Sequence, residues 1–402
     1  MTVTVKKGMA SGTVKAPPSK SVAHRALICS ALSGHGKVSN IEYSDDIRAT
    51  VSCLKSLGAD ITELEDSVVI NSFDPKKVKD GTELYCFESG STLRFMIPLC
   101  LMTGKKITLS GSKRLFERPL KIYEDIALKN GFLFEKACSS LTVCGNLSYG
   151  EYKLPGDISS QFISGLLFAL PLAKRDSRIV LTGKTESRSY ILLTLSVLKE
   201  FGINAVFKGN TIQIEGSQRY TSRDYTVEGD CSNAAFLDAL GFVGGDVTVT
   251  GIKEDTVQGD RVYKEMFSKL KNGERSFDLS DCPDLAPIMF ALAAASGGAR
   301  FEGTRRLKIK ESDRAQAMHD ELLKFGTDSE IYENSVVIRG SELKAPSEIL
   351  QSHNDHRIAM SLAVLCTLTG GTIAGAQAVN KSYPAFFKTL NYLKIGTDTD
   401  EA

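Results

Sequence analysis

The feature that most constrains this chain is an internal repeat of about 70 residues, and repeats of that kind dictate architecture before any local motif does. Six segments start with small or polar residues and run into an apolar, helix-like stretch: PPSKSVAHRALICSAL, ESGSTLRFMIPLCL, GDISSQFISGLLFAL, GDCSNAAFLDALGF, DCPDLAPIMFALAAA and HNDHRIAMSLAVLCTL. Their markers Ser19, Ser89, Ser159, Cys231, Cys282 and Asn354 are separated by 70, 70, 72, 51 and 72 residues. A second series of amphipathic helix candidates runs in step. Each ends in a glycine, at Gly58, Gly131, Gly202, Gly273, Gly326 and Gly396, with separations of 73, 71, 71, 53 and 70. A glycine after a helix is the expected left-handed stop. Short β-rich runs such as KITLSG, RIVLTG, DVTVTG and ENSVVIRG fill the intervals.

Each unit therefore holds two helices and several strands. The strands are too short and too alternating for a buried parallel sheet. The period is long for a solenoid rung, so each unit reads as a subdomain. A chain of 402 residues exceeds one ordinary core, and six units divide into three plus three. The expected domains are 1–18 plus 229–402, with the N-terminal strand returning to the second half, and 19–228. Two short crossing strands would form the hinge and permit closure.

Composition narrows the function classes. With 49 Lys+Arg against 48 Asp+Glu the net charge is +1, which argues against a nucleic-acid binder. No apolar run approaches the ~20 residues of a membrane span, and MTVTVKKGMA has no apolar signal region. The nine cysteines show neither a CxxC pair nor zinc spacing, and read as reduced, buried, cytoplasmic thiols.

The chemistry gathers at the starts of the apolar helices. Lys20, Ser21 and Arg25 open the first; Gly90, Ser91 and Arg94 the second; Ser159, Ser160 and Gln161 the third; Asp284 the fifth; Asp355, His356 and Arg357 the sixth. A helix N-terminus suits anions. Ser, Asp and Gly at such places can be plain caps. Cations there oppose the helix dipole, so Lys20, Arg25, Arg94 and Arg357 point to function or to ion pairs. If the two domains face each other, these starts would line one cleft. The run LKIKESDRAQAM places Lys310 and Arg314 at i and i+4, and Glu311 and Arg314 at i and i+3, if it is helical. Such a run is usually a solvated, ion-paired face. Arg114 and Arg118 in GSKRLFERP, and Lys381 in VNKSYP, add to a cationic site within a neutral chain. The ligands implied carry phosphate or carboxylate. Asp284, Glu311 and, more weakly, His356 are the acid/base candidates. No Walker A, GxGxxG or HExxH motif supports a nucleotide or metal cofactor, and GKTES at 183–187 lacks the glycine of a P-loop.

Read in order, PPSKSVAHRAL, GSTLRF, SKRLFERPL, DISSQF, ESRSY, KIKESDR, NDHRIAM and NKSYP closely resemble the 5-enolpyruvylshikimate-3-phosphate synthases, over nearly the whole chain. KxKE[ST]DR together with NDHR is highly specific to that family. The resemblance implies an inside-out α/β barrel of two domains, each with three βαβαββ units. It implies transfer of the carboxyvinyl group of phosphoenolpyruvate to the 5-hydroxyl of shikimate 3-phosphate, in the shikimate pathway of aromatic amino acid biosynthesis. No cofactor or metal is implied, a monomer is expected, and glyphosate is the expected inhibitor. The resemblance places Lys20, Ser21, Arg25, Ser159, Ser160, Gln161, Ser187, Tyr190, Asp284 and Lys310 on shikimate 3-phosphate. It places Lys20, Gly90, Arg94, Arg114, Gln161, Arg314, Arg357 and Lys381 on phosphoenolpyruvate. The catalytic roles fall to Asp284, Glu311 and Lys20.

The chain departs from the family pattern at Glu88 (usually Asn), Ser91 (Thr), Phe95 (often Pro or aliphatic) and Arg306 (often Asn). A sibling transferase acting on a UDP-sugar typically carries a reactive Cys in the loop matching 111–119, and GSKRLFERP has none. A non-catalytic anion-binding homologue finds support only in Glu88. An RNA-end-processing protein is opposed by the near-zero net charge.

Overall fold

A helix that is apolar on every side must be surrounded by protein, and the first-series helices are. In a computed structural model, which describes residues 1–400, they span Lys20–Ser33, Gly90–Met102, Ser160–Ala169, Cys231–Phe242, Ala286–Ala294 and His356–Thr369. Val22 to Ala31 are buried without a break, as are Ala286 to Ala294. The second series is amphipathic and half-buried: Asp45–Ser56, Lys121–Asn130, Arg188–Glu200, Tyr263–Lys271, Arg314–Lys324 and Phe386–Tyr392. The strands alternate buried and open positions, as in Ser177–Thr182 and Ser140–Cys144. Helices thus lie inside and sheets outside, which is the inside-out α/β arrangement.

One sheet pattern recurs. Thr82–Tyr85 pairs parallel with Ile107–Ser110, which pairs antiparallel with Ser140–Cys144, which pairs antiparallel with Leu133–Lys136. The sheet Glu151–Pro155, Ser177–Thr182, Thr211–Ile214, Ala205–Lys208 repeats it. So does Ser276–Asp278, Gly298–Glu302, Ser335–Arg339, Ser329–Ile331. With two helices each, these are βαβαββ units. In the last unit the N-terminal strand Thr2–Val5 fills the central antiparallel place, between Gly371–Ala374 and Thr397–Asp400.

Two first strands are exchanged. Ser11–Lys15 precedes the Lys20 helix yet pairs with Asp246–Thr250, the strand after the Cys231 helix. Tyr225–Thr226 precedes the Cys231 helix yet pairs with Gly36–Ser39, the strand after the Lys20 helix. The fourth unit stops there. Its sheet has two strands, and it lacks the closing hairpin that four of the other units carry and that the N-terminal strand replaces in the last. The missing hairpin accounts for the short interval of 51 residues in the marker series.

The chain divides into two compact domains, Met1–Pro17 with Gly229–Ala402 and Pro18–Glu228. Pro18 thus falls with the second piece, one residue from the expected boundary. Each domain has its own apolar core. Burying each Leu, Ile or Phe of these cores contributes about 1.5–3 kcal/mol.

Local chemistry explains the helix ends. Ser19, Ser89, Ser159, Asp230 and Asp355 cap five of the six buried helices, each accepting a backbone N–H of the first turn. The fifth is entered through a 3-10 turn, Pro283–Leu285. Five of the six series glycines sit at positive φ, but not Gly396, whose role passes to Lys394 at φ 68°. Pro98, inside the Gly90 helix, has no N–H to offer the carbonyl of Arg94 four residues back. The buried hydroxyl of Tyr123 takes its place, 2.8 Å from that oxygen and 3.0 Å from the Phe162 carbonyl. Gly165 makes this close approach feasible, since a Cβ there would stand 2.3 Å from the Tyr123 Oη.

Candidate active site

In the Pro18–Glu228 domain the predicted residues gather at the first turns of three buried helices. Arg25 is 3% exposed. Its Nε donates to Thr194 Oγ1 at 2.8 Å and its Nη1 to the Ser21 carbonyl at 2.6 Å. Its guanidinium lies 5.3 Å from the Phe95 ring centre. Burial lowers its pKa to about 10, against the raising influence of Tyr190 and Cys29, so it stays charged at neutral pH. Lys20 pairs with Asp46 at 2.7 Å, on the first turn of the Asp45 helix. Arg94 donates to Gln161 Oε1 at 2.8 Å and to the Pro119 carbonyl at 3.1 Å. Gln161 donates in turn to Ser91 Oγ at 2.9 Å. Ser160 and Ser187 are buried, and Ser187 opens the Arg188 helix at φ 53° with Tyr190 in its first turn.

The two arginines of GSKRLFERP separate here. Arg114 is 43% exposed and pairs with Glu117 at 3.5 Å on a short surface helix. Arg118 is 6% exposed, and a Cβ on Gly90 would stand 2.5 Å from its Nη1 and 2.9 Å from Arg94 Nη1. Gly90 thus leaves room where two guanidinium groups meet. Of the two, Arg118 belongs with Gly90 and Arg94. Sequence reading chose Arg114, although the Pro119 that fixes Arg118 in extended backbone was a visible signal. It also missed Asp46, which looks like an ordinary first-turn acid.

In the other domain the geometry centres on Asp284, in the 3-10 turn before the Ala286 helix. Lys310 Nζ lies 3.0 Å and Arg314 Nη1 2.7 Å from its Oδ1, and Arg357 Nη2 lies 3.2 Å from its Oδ2. Arg314 is 1% exposed and reaches three carboxylates: Asp284, Glu311 at 2.8 Å and Asp355 at 2.8 Å. Asp355 also caps the His356 helix and accepts from Ser312 Oγ at 3.1 Å. Burial works against the charge on Asp284, yet Arg357, Lys310 and Arg314 outweigh it and hold the carboxyl well below the usual range. Burial lowers the Lys310 pKa against the pull of Asp284. On Arg314 burial is outweighed by Asp355, Glu311 and Asp284, which fix its charge. Lys381 donates to the Asn354 carbonyl at 2.6 Å.

KIKESDR is neither a helix at Lys310 nor a solvated face. Asp313 caps a helix that begins only at Arg314, accepting from Gln316 N, and a 3-10 turn, Arg305–Ile309, precedes it. His356 is buried with its Nδ1 3.9 Å from Asp355, inside the packing rather than on an open surface. Of the departures from the family pattern, Phe95 is fully buried, with Phe168 at 5.3 Å. Arg306 donates to the Ser280 carbonyl at 2.5 Å.

Chemically, the first set offers fixed cations and helix N-termini for anions. The second offers Asp284, held ionised by cations, with Glu311 beside it on Arg314, suited to orienting a hydroxyl and moving protons. Among the described residues no group of three His, Cys, Asp or Glu side chains is placed to hold a metal ion, and no helix is long and apolar enough to cross a membrane.

A family model for EPSP synthase (3-phosphoshikimate 1-carboxyvinyltransferase) matches residues 5–390. Curated relatives under the name 3-phosphoshikimate 1-carboxyvinyltransferase include one from Clostridium kluyveri, 41% identical over 97% of this chain and 96% of its own length. Another, from Clostridioides difficile, is 39% identical over 95% of each chain. A solved EPSP synthase from Acinetobacter baumannii superposes over 99% of this chain and 100% of its own, with TM-score 0.79 at 23% identity, a likeness of fold. The model match and these relatives cover nearly the whole chain, which belongs to the EPSP synthase family.

Proposed function

We propose that this protein joins phosphoenolpyruvate to shikimate 3-phosphate, giving 5-enolpyruvylshikimate 3-phosphate and inorganic phosphate in the shikimate pathway. The observation that carries the reading is the caged Asp284, with Lys310, Arg314 and Arg357 on one carboxylate and Glu311 on the same Arg314. The 5-hydroxyl oxygen bonds to C2 of phosphoenolpyruvate as its O–H bond breaks and the proton passes to Asp284, while Glu311 in its protonated form adds a proton to the methylene carbon. The tetrahedral adduct then returns a methyl proton to Glu311, the double bond reforms, and phosphate leaves with the proton held by Asp284.

Asp284, ionised and held by three cations, accepts the hydrogen bond of the attacking hydroxyl and aims it. Glu311, with the charge of Lys20, exchanges the proton at the methylene carbon. Ser21, Arg25, Ser159, Ser160, Gln161, Ser187, Tyr190 and Lys310 hold shikimate 3-phosphate. Gly90, Arg94, Gln161, Arg314, Arg357 and Lys381 hold phosphoenolpyruvate, and Arg118 joins them by its place beside Gly90 and Arg94. These cations offset the repulsion between two anionic substrates. The chain acts as a monomer in the cytoplasm, which light scattering and fractionation would test.

The decisive assay is phosphate release from the purified protein, with each substrate omitted in turn. Release that needs both substrates supports the reading, and release that ignores either one overturns it. Asp284→Asn and Glu311→Gln are each expected to lower turnover about 10²–10⁴-fold while shikimate 3-phosphate still binds. Loss of binding alone would sink their assigned roles.

A further inference from the structure

The most unusual polar feature outside the two substrate-facing sets is a row of buried side chains joining three helices of the Pro18–Glu228 domain. It starts at His24, on the Lys20–Ser33 helix and 1% exposed. His24 Nδ1 is 2.7 Å from Thr50 Oγ1, on the Asp45–Ser56 helix. Thr50 Oγ1 is 2.8 Å from Thr92 Oγ1, on the Gly90–Met102 helix. Thr92 Oγ1 is 2.8 Å from the Oγ of Ser89, which caps that last helix. The three hydroxyl residues are each 0% exposed.

We propose that the His24–Thr50–Thr92–Ser89 relay is a positioning device that fixes the first turn of the Gly90 helix, and with it Gly90 and Arg94, for phosphoenolpyruvate. The inference rests on the function proposed above.

The direction of the relay follows from its donors. The Thr92 hydroxyl points its proton at Ser89 Oγ, with the Asp46 carbonyl 3.5 Å away as a second acceptor. Its oxygen is then open to accept from Thr50. Thr50 has one proton, which that bond uses. The proton between Thr50 and the imidazole must therefore come from His24 Nδ1. Nε2 is left bare and buried, with no hydrogen-bond partner among the described residues. Burial, with Lys20 and Arg25 close by, lowers the His24 pKa and keeps the ring neutral, as the relay requires.

The placement explains why a polar row is kept in a core that leucines could fill. Thr50 and Asp46 lie one turn apart on the same helix, and Asp46 holds Lys20 at 2.7 Å. The relay therefore ties the helix that carries Lys20's partner to the helix that carries Arg94. The Lys20 helix has anchors of its own, since Ser19 caps it and Arg25 grips Thr194 and the Ser21 carbonyl. Severing the relay would leave those contacts standing and free the Gly90 turn. The expected signature is thus selective for the second substrate.

The test uses the full-length protein and the variants His24→Ala, His24→Asn, Thr50→Val and the double variant His24→Ala with Thr50→Val. Initial rates give KM for each substrate, and calorimetry gives the Kd of shikimate 3-phosphate. His24→Ala and Thr50→Val are each expected to raise KM for phosphoenolpyruvate about tenfold, the scale of one buried hydrogen bond. The shikimate 3-phosphate Kd should stay within about twofold, and the double variant should be no worse than the poorer single. Asn places an amide where Nδ1 stood and should restore most of the loss. Nitrogen-15 NMR of the wild type should show the Nδ1–H tautomer of His24.

Unchanged KM values in both single variants, additive losses in the double, equal losses for both substrates, or an Nε2–H tautomer would each overturn the relay. If His24→Ala fails to fold, Thr50→Val, which keeps the side-chain shape, decides the question by the same readouts. A wild type that releases no phosphate refutes the proposed function instead, and the tautomer then still decides the relay's direction.

Discussion

Replacing Asp260 by Asn is expected to stabilise the protein above neutrality and to lose that advantage in acid. Asp260 is 3% exposed and its Oδ2 accepts from the Ser232 hydroxyl. Burial, then the charge of Asp284, raises its carboxyl from 3.8 to about 6; Arg357 and the Ser232 hydroxyl pull it down and Asp230 pushes it up. The folded protein therefore keeps this proton to higher pH than the unfolded chain does. Between roughly pH 4 and 6 the folded state binds more protons, so this group's contribution to stability falls as pH rises and is flat above about pH 7. A displacement of about 2 units corresponds to about 3 kcal/mol. Asn never ionises, and its Oδ1 can still accept from Ser232. The advantage of the variant over wild type should open by about 2 kcal/mol between pH 4.5 and 7.5, read by urea unfolding with far-UV circular dichroism. Any packing change made by the substitution shifts the gap equally at every pH, so the slope isolates the proton. The depressed carboxyl of Asp284 contributes with the opposite sign, but it titrates below this pH window and leaves the slope between pH 4.5 and 7.5 to Asp260. A gap that is constant, or that closes as pH rises, would refute the reasoning.

Gly90→Ala would push a methyl group into Arg118 Nη1, 2.5 Å away, and Arg94 Nη1, 2.9 Å away; KM for phosphoenolpyruvate should rise at least about tenfold with little change in the Kd of shikimate 3-phosphate by calorimetry. Arg118→Ala should weaken phosphoenolpyruvate by about 10²-fold, while Arg114→Ala, which removes an exposed ion pair, should stay within about threefold in steady-state rates. Arg314→Met would leave Asp284, Glu311 and the fully buried Asp355 without the cation that all three share. Unfolding by urea should show a loss of about 3–5 kcal/mol, and a loss below about 1 kcal/mol would mean that Lys310 and Arg357 suffice.

The repeat was legible because its signals are local. A capping Ser or Asp and a left-handed glycine act over one turn, so they mark helix ends wherever the units fall. The strand exchange was not legible. Ser11–Lys15 pairs with Asp246–Thr250, and nothing in an alternating run of five residues names a partner more than 200 residues away. The truncated fourth unit was present in the sequence only as an interval of 51 residues. Motifs supplied the candidate site residues by number, but two kinds escaped. Arg118 and Arg114 are the same side chain four positions apart, and only the Pro119 backbone and the space at Gly90 distinguish them. Asp46 sits where an acid stabilises any helix, so its pairing with Lys20 leaves no trace in a single sequence.

The cations that looked misplaced at helix N-termini show how each domain is prepared for its share of the chemistry. A cation there is tolerated only when something offsets the dipole; Lys20 has the Asp46 carboxylate, and the arginines of the two domains use different partners. In the Pro18–Glu228 domain Arg25 donates to a hydroxyl and a carbonyl, and Arg94 to an amide and a carbonyl. The neutral acceptors of Arg25 orient its guanidinium without cancelling its charge, so its attraction for a phosphate or carboxylate survives. In the other domain Arg357 and Arg314 are held by carboxylates. Asp284, Glu311 and Asp355 there balance Lys310, Arg314 and Arg357 in charge. A balanced cluster draws anions less strongly, but it keeps Asp284 ionised and aimed. One repeat thus supports both tasks, because the fold sets where the helix begins and the neighbouring side chain sets whether the cation placed there recruits an anion or orients a carboxylate.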